Sequence, residues 1–442
     1  MNSVKISLLF IFICEFAYCG NNDCMSRKNT PSEIMDLQSI IELGLCRNPD
    51  TMASYYSYQA ARYNKNAGYA SYLPKLDGSA SIAKNYQNHD WTGTEYGASI
   101  SASYLIFDFG KRLADLNQLS SVWRATGFDY DDRVQTYVYS VIGAYYGLLN
   151  ADADLESAKS LRTVAQTALD MAKTKFNAGV VARADVLRAE TTLATRDLEL
   201  ERAKNNREIS KGTLLTKLSF PANQEITIAD MTGDFGNVRE NRNIDELIEI
   251  ARRKRPDLLR ATANKDAAWH RRNSAFLKNL PSISATGNFS WNDDNAQFFG
   301  TGGDHISAGI GIRASMPIFA GFANMYGLRS ATASYESADE TLRSVRDNAM
   351  LDVFSAYQNY KTAQTVLKQT ATLLKSATES ERVTAGMYRV GRATMLDWQT
   401  AQSELVSAQR QHNAAKYDLY IKRAAVALSV GDIRAEIEKD DL

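Results

Sequence analysis

The chain of 442 residues is poor in histidine and cysteine, with four of each. Its four histidines, His89, His270, His305 and His412, are scattered without metal-ligand spacing. Gly309-Ile310-Gly311 lies inside a strand-like run, not in a phosphate loop. No nucleophile is arranged with a base, so no enzyme is expected and no cofactor or metal is implied. An excess of one charge is missing too: Lys plus Arg and Asp plus Glu number 51 each, which argues against nucleic acid as a partner. Beyond the N-terminus there is no run of the 18 or so apolar residues that a membrane-crossing helix needs. Any part of the chain that sits in a membrane must do so as strands.

The N-terminus carries Lys5, the apolar run from Ile6 to Ile13, and small residues near Ala17 and Cys19. A short apolar segment behind a basic start reads as a secretory signal over residues 1–19, so the mature protein is exported. Phe16-Ala17-Tyr18-Cys19-Gly20 loosely matches a lipoprotein box, which would make Cys19 an acylated first residue; the bulk of Tyr18 opposes this. Cleavage before Gly20 leaves Cys24 and Cys46, which an oxidising periplasm could join or leave as free thiols.

What the chain does have is a repeat. Asn48-Pro49-Asp50 returns as Arg255-Pro256-Asp257, and Leu73-Pro74-Lys75-Leu76 as Leu280-Pro281-Ser282-Ile283, both 207 residues on. Ile106-Phe107, Ala144-Tyr145, Phe176-Asn177-Ala178-Gly179, Asp185 and Ala189 return 212 residues on, so about five residues enter the second copy between Pro281 and Phe319. Residues 20–238 form the first repeat and 239–442 the second. Each reads as a helix, a Leu-Pro step, two strands, a very long helix, a Gly turn and a returning helix. The hairpins are expected at about 76–107 and 282–318. The long helices are expected at about 111–179 and 323–390, and the returning helices at about 184–218 and 394–430. An equatorial linker ends the first repeat and a C-terminal tail ends the second.

The strands alternate clearly. From Tyr96 to Ile106, large or apolar residues alternate with Gly and Ser; Ile283 to Trp291 does the same, as do Leu76 to Tyr86 and Ile306 to Met316. Such a period gives one apolar and one polar face at about the length of a tilted membrane strand. The loops between them, 87–95 and 292–304, carry the aromatics Trp91, Phe298 and Phe299 and would face the exterior. In the second long helix, Ala338, Leu342, Val345, Ala349, Val353, Ala356, Tyr360, Ala363, Leu367, Thr370, Leu374 and Ala377 trace a coiled-coil seam with one stutter near Ala349. Tyr137, Val141, Ala144, Leu148, Ala151, Leu155, Ala158 and Ala165 repeat it in the first.

Four strands cannot close a membrane barrel, and open edges are not tolerated in lipid, so the chain must oligomerise. Two copies would give a barrel filled by its own side chains, and three a 12-stranded barrel with a pore. A plain dimeric coiled coil would leave the strands and the signal unexplained; the alternative reading, a non-conducting periplasmic or surface coiled-coil structural protein, would show neither heat-resistant trimers in detergent nor conductance in planar bilayers.

The stretch Ile40 to Asp50, the step Tyr72-Leu73-Pro74-Lys75-Leu76 and the segment Lys175 to Leu187 together resemble the TolC family of outer-membrane efflux proteins. The resemblance implies a mixed α and β membrane protein. It would be a homotrimer whose 12-stranded outer-membrane β-barrel, four strands from each protomer, continues into a periplasmic α-helical coiled-coil barrel. It also implies a passive exit duct of a tripartite efflux or type I secretion system, gated at its periplasmic tip. The duct would be set in the outer-membrane lipid of a Gram-negative cell, with a large periplasmic portion. The partners implied are a periplasmic adaptor (membrane fusion) protein and an inner-membrane RND or ABC pump. The exported substrate, drug, metal or protein, is left open because the pump chooses it.

Carried over by position, the family's constricting acidic ring falls on Asp397, and its closure link on Tyr388 and Asp185. A second acid three residues on is replaced by Thr400, and the usual arginine after the turn by Ala393, with Arg392 and Arg183 as neighbouring substitutes. Gly179, Val180, Val390 and Gly391 match the adaptor-facing hairpin tips. Asp185 and Asp397 would also suit a first helical turn by charge alone.

Overall fold

The computed structural model describes residues 35–87, 90–229, 243–294 and 304–433. The signal segment with Cys19, together with Cys24, Phe298 and Phe299, lies outside the described residues. Cys46 is disulfide-bonded.

Each repeat contributes two short helices, a hairpin and two long helices. The first supplies α1 (Leu37–Arg47), α2 (Pro49–Gly68), β1 (Lys75–Gln87), β2 (Asp90–Phe107), α3 (Lys111–Asn177) and α4 (Arg183–Lys217). The second supplies α5 (Ile244–Lys254), α6 (Pro256–Leu277), β3 (Ser282–Asp294), β4 (Asp304–Ser315), α7 (Ala323–Arg389) and α8 (Met395–Val430). Helix breaks fall where proline puts them. Asn48 and Arg255, each before a proline, are held extended at ψ +122° and +121°, and Pro49 and Pro256 open the next helices. Asn48 Oδ1 caps α2 by accepting from the Thr51 N–H at 3.0 Å.

The chain divides into two compact units that do not coincide with the repeats: residues 54–130 and 256–347 form one, and 1–53, 131–255 and 348–442 the other. Each unit takes a share of both repeats.

The first unit holds the sheet, an antiparallel meander in the order β1-β2-β3-β4 with β1 and β4 at its edges. Its register sorts the faces. Gly78, Ile100, Phe289 and Ala308 lie opposite one another, as do Ala80, Ala98, Trp291 and Ile306, so this face is apolar along these rows and turns polar at the row that pairs Tyr96 with Asp293. On the other face Ser79 and Ser99 share a hydrogen bond of 2.8 Å, and Ser290 and Ser307 one of 2.7 Å. The apolar face is uncovered: Ile310 is 97 % exposed. Below the sheet the strand-to-helix joint is stitched by Arg112, which donates to the Leu105 carbonyl at 2.8 Å, the Ile106 carbonyl at 3.2 Å and Asp108 Oδ2 at 3.2 Å.

The second unit is helical. The seam residues are its core: Val141, Leu148, Ala151, Ala349, Val353 and Ala363 are all buried. Alanines along the seam let neighbouring helices pack closely. Both α3 and α7 have 67 residues, about 100 Å of helix. At the opposite end of α8, Gly431 (φ +79°) packs against the backbone of Arg255, whose Nη1 donates to the Ser429 carbonyl at 3.1 Å.

Candidate functional site: the paired hairpin turns

The residues singled out in the sequence collect at the two turns joining α3 to α4 and α7 to α8, both within the helical unit. The turns are built alike. Val180 N–H donates to the Lys175 carbonyl and Gly179 N–H to that of Phe176, each at 2.9 Å. Arg392 N–H donates to Met387 at 2.8 Å and Gly391 N–H to Tyr388 at 3.2 Å. This is a Schellman ending, which needs a left-handed residue; Gly179 (φ +74°) and Gly391 (φ +78°) supply it. Beside each glycine, after Gly179 and before Gly391, the chain presents an apolar residue to solvent. Val390 is 71 % exposed and Val180 69 %.

The returning helices start differently. α8 begins on a capping box: Thr394 Oγ1 accepts from Asp397 N–H at 3.2 Å, and Asp397 Oδ2 accepts from Thr394 N–H at 2.8 Å and Thr394 Oγ1 at 2.7 Å. These two bonds, side chain first and then backbone, hold the Asp397 carboxyl below the usual carboxylate range. α4 has no such cap. Its Ala182 offers no side-chain acceptor, and Asp185 instead sits 3.7 Å from Arg188.

Tyr388 is buried between the hairpins, in a cluster with Ala172, Ala189, Met395 and Trp398. Its ring stacks on Trp398 at 5.2 Å, and Trp398 Nε1 donates to Glu381 Oε1 at 2.8 Å. The structure does not join Tyr388 to Asp185 by a hydrogen bond: the Tyr388 hydroxyl is buried without a partner. Burial, and secondarily the Asp185 charge, raise the pKa of that hydroxyl. Arg392 is exposed and forms no ion pair among the described residues. Thr400, in the place of the missing acid, donates to the Leu396 carbonyl at 3.0 Å.

Three contacts between the hairpins involve residues that the repeat pattern passes over. Lys175 Nζ donates to the Tyr388 carbonyl at 2.5 Å and lies 4.0 Å from the centre of its ring. Gln399 Nε2 donates to Thr192 Oγ1 at 2.6 Å and to the Arg188 carbonyl at 3.2 Å. Trp398 is the third, sharing the buried cluster around Tyr388 with Ala172 and Ala189 of the first hairpin. Each departs from its counterpart 212 residues away: Lys175 faces Met387, Trp398 faces Val186 and Gln399 faces Leu187. That inequality between copies is the signal that could have found them.

Among the described residues no group of His, Cys, Asp and Glu could hold a metal ion, and no helix is long and apolar enough to cross a membrane. Residues 40–218 and 247–432 match the family model of the outer membrane efflux protein. The chain belongs to that family. Among curated proteins it is similar to CyaE of Bordetella pertussis, 23 % identical over 93 % of this chain and 88 % of that one. It is likewise similar to TolC of Escherichia coli K12, 22 % identical over 92 % and 84 %. Among solved structures it resembles the outer membrane protein VceC of Vibrio cholerae, with a TM-score of 0.76 at 19 % identity over 90 % of this chain and 96 % of that one. This outer membrane efflux protein is thus a passive export channel of the outer membrane with a large periplasmic portion. Its four strands belong to a β-barrel and its long helices to an α-helical barrel.

Proposed function

We propose that three copies form one duct from periplasm to exterior, closed at the paired hairpin turns and opened when it is recruited by a pump. The observation that carries this is the sheet. Its four strands have an uncovered apolar face and a polar face, and its order leaves both edges open within one copy. Lipid explains the first, and closure with further copies the second. In this reading Asp397 forms the acidic ring, where three carboxylates draw cations to the entrance. Tyr388, Asp185 and Arg392 form the closure link: the ring of Tyr388 supplies the packed pivot, and Asp185 and Arg392 the exposed charges. The tips around Gly179, Val180, Val390 and Gly391 offer an apolar docking surface for a periplasmic adaptor, which joins the duct to an inner-membrane RND or ABC pump. The test is assembly and conduction. Detergent-purified protein should be a trimer and should conduct in planar bilayers; a stable soluble monomer would refute the proposal.

A further inference from the structure

We propose that Lys175 is the tie that holds the two hairpins of each protomer together at the closed end, a role that rests on reading those hairpins as the gate. Lys175 stands in the last turn of α3, and Tyr388 in the last turn of α7. A helix C-terminus leaves carbonyls unpaired and carries about half a negative charge, so two such ends brought together repel. The Lys175 ammonium belongs to one of these ends and bonds the other, 2.5 Å from the Tyr388 carbonyl and 4.0 Å above its ring. One cation therefore serves both helix ends and the aromatic face between them.

The simpler account, a lysine that merely favours its own helix terminus, is answered by the duplication. At the matching position of the second hairpin the residue is Met387, and α7 nevertheless ends in the same turn, with Arg392 N–H bonded to the Met387 carbonyl at 2.8 Å. The turn does not need a cation at this position, so the cation is there for the neighbouring hairpin. The tie can also be released. The Tyr388 carbonyl still accepts from Gly391 N–H at 3.2 Å, so withdrawal of the ammonium strands no buried oxygen. The bond runs through backbone and ring rather than through the Tyr388 hydroxyl, which has no partner.

The experiment compares Lys175→Met, Lys175→Gln and Lys175→Arg with wild type in planar bilayers, and runs Asp185→Ala combined with Arg392→Ala beside them. Lys175→Met, which copies the second hairpin, and Lys175→Gln should raise open probability on the order of tenfold, the scale of one charge-assisted hydrogen bond. Lys175→Arg, which keeps the cation, should stay at the wild-type value, and trimer yield should be unchanged in all. Wild-type gating in Lys175→Met while the Asp185/Arg392 variant opens would overturn the tie and leave the gate standing. Wild-type gating in both would bring down the tie and the gate together. Failure of all three Lys175 variants to assemble would also overturn it, since the residue would then be structural.

Discussion

Gly431 and Gly391 provide a controlled comparison of what glycine is needed for. Their φ values are +79° and +78°, so replacement by alanine incurs the same left-handed strain at both, about 1–2 kcal/mol. Their surroundings differ. A Cβ on Gly391 would meet nothing within 4 Å. One on Gly431 would lie 2.8 Å from Arg255 Cα, 2.9 Å from its nitrogen and 3.0 Å from the Lys254 carbonyl carbon. These are backbone atoms at a proline-enforced break and cannot rotate aside. Moving that break away from α8 stretches the Lys254–Asp432 pair at 2.5 Å, the Arg255–Asp352 pair at 3.0 Å and the Arg255 bond to the Ser429 carbonyl. Overpacking of this kind costs about 1–3 kcal/mol. Gly431→Ala should therefore lose about 2–5 kcal/mol in total and Gly391→Ala only the strain common to both. The assay is guanidinium unfolding of the detergent-solubilised protein followed by helical circular dichroism, with the transition slope required to stay constant. Equal midpoint shifts for the two variants would refute the packing argument.

Three further outcomes are expected. Because the Tyr388 hydroxyl bonds to nothing, Tyr388→Phe should leave single-channel conductance and stability at wild-type values, whereas Tyr388→Ala should lose about 3–5 kcal/mol in the same unfolding assay. Asp397 has a depressed pKa in the folded chain, so its ionised form favours the fold above the usual carboxylate value, and that contribution is lost as pH falls through the depressed one. Cation selectivity, read as reversal potential, should accordingly persist through mild acidity and disappear in Asp397→Ala at every pH. On the sheet, Ile310→Lys should cost about 2–4 kcal/mol and reduce the yield of heat-resistant trimers, while Ser307→Lys on the polar face should be tolerated.

The large features were legible because they are periodic. The alternation from Tyr96 to Ile106 assigns each residue to a face before any pairing is known, and the observed register places Ile100 against Phe289 and Ser99 against Ser290 accordingly. The seam from Leu342 through Val353 to Ala377 is read from spacing alone, and those residues are buried. The hairpin contacts were not legible. Lys175 and Tyr388 are 213 residues apart, and their bond ends on a backbone carbonyl, which every residue possesses and no side-chain pattern marks. The capping box at Thr394 was visible in principle as a threonine three residues before an acid. It shows that Asp397 serves its own helix even before a second copy is considered.

The open edges of the sheet have a genetic consequence. A ring that closes only through β1 of one copy and β4 of another has no spare joint, so a chain with one edge disabled, for instance by a proline introduced into β4, can enter an assembly and leave it unfinished. Such an allele would be dominant in a merodiploid strain. A deletion allele, which supplies no copy to be incorporated, would be recessive.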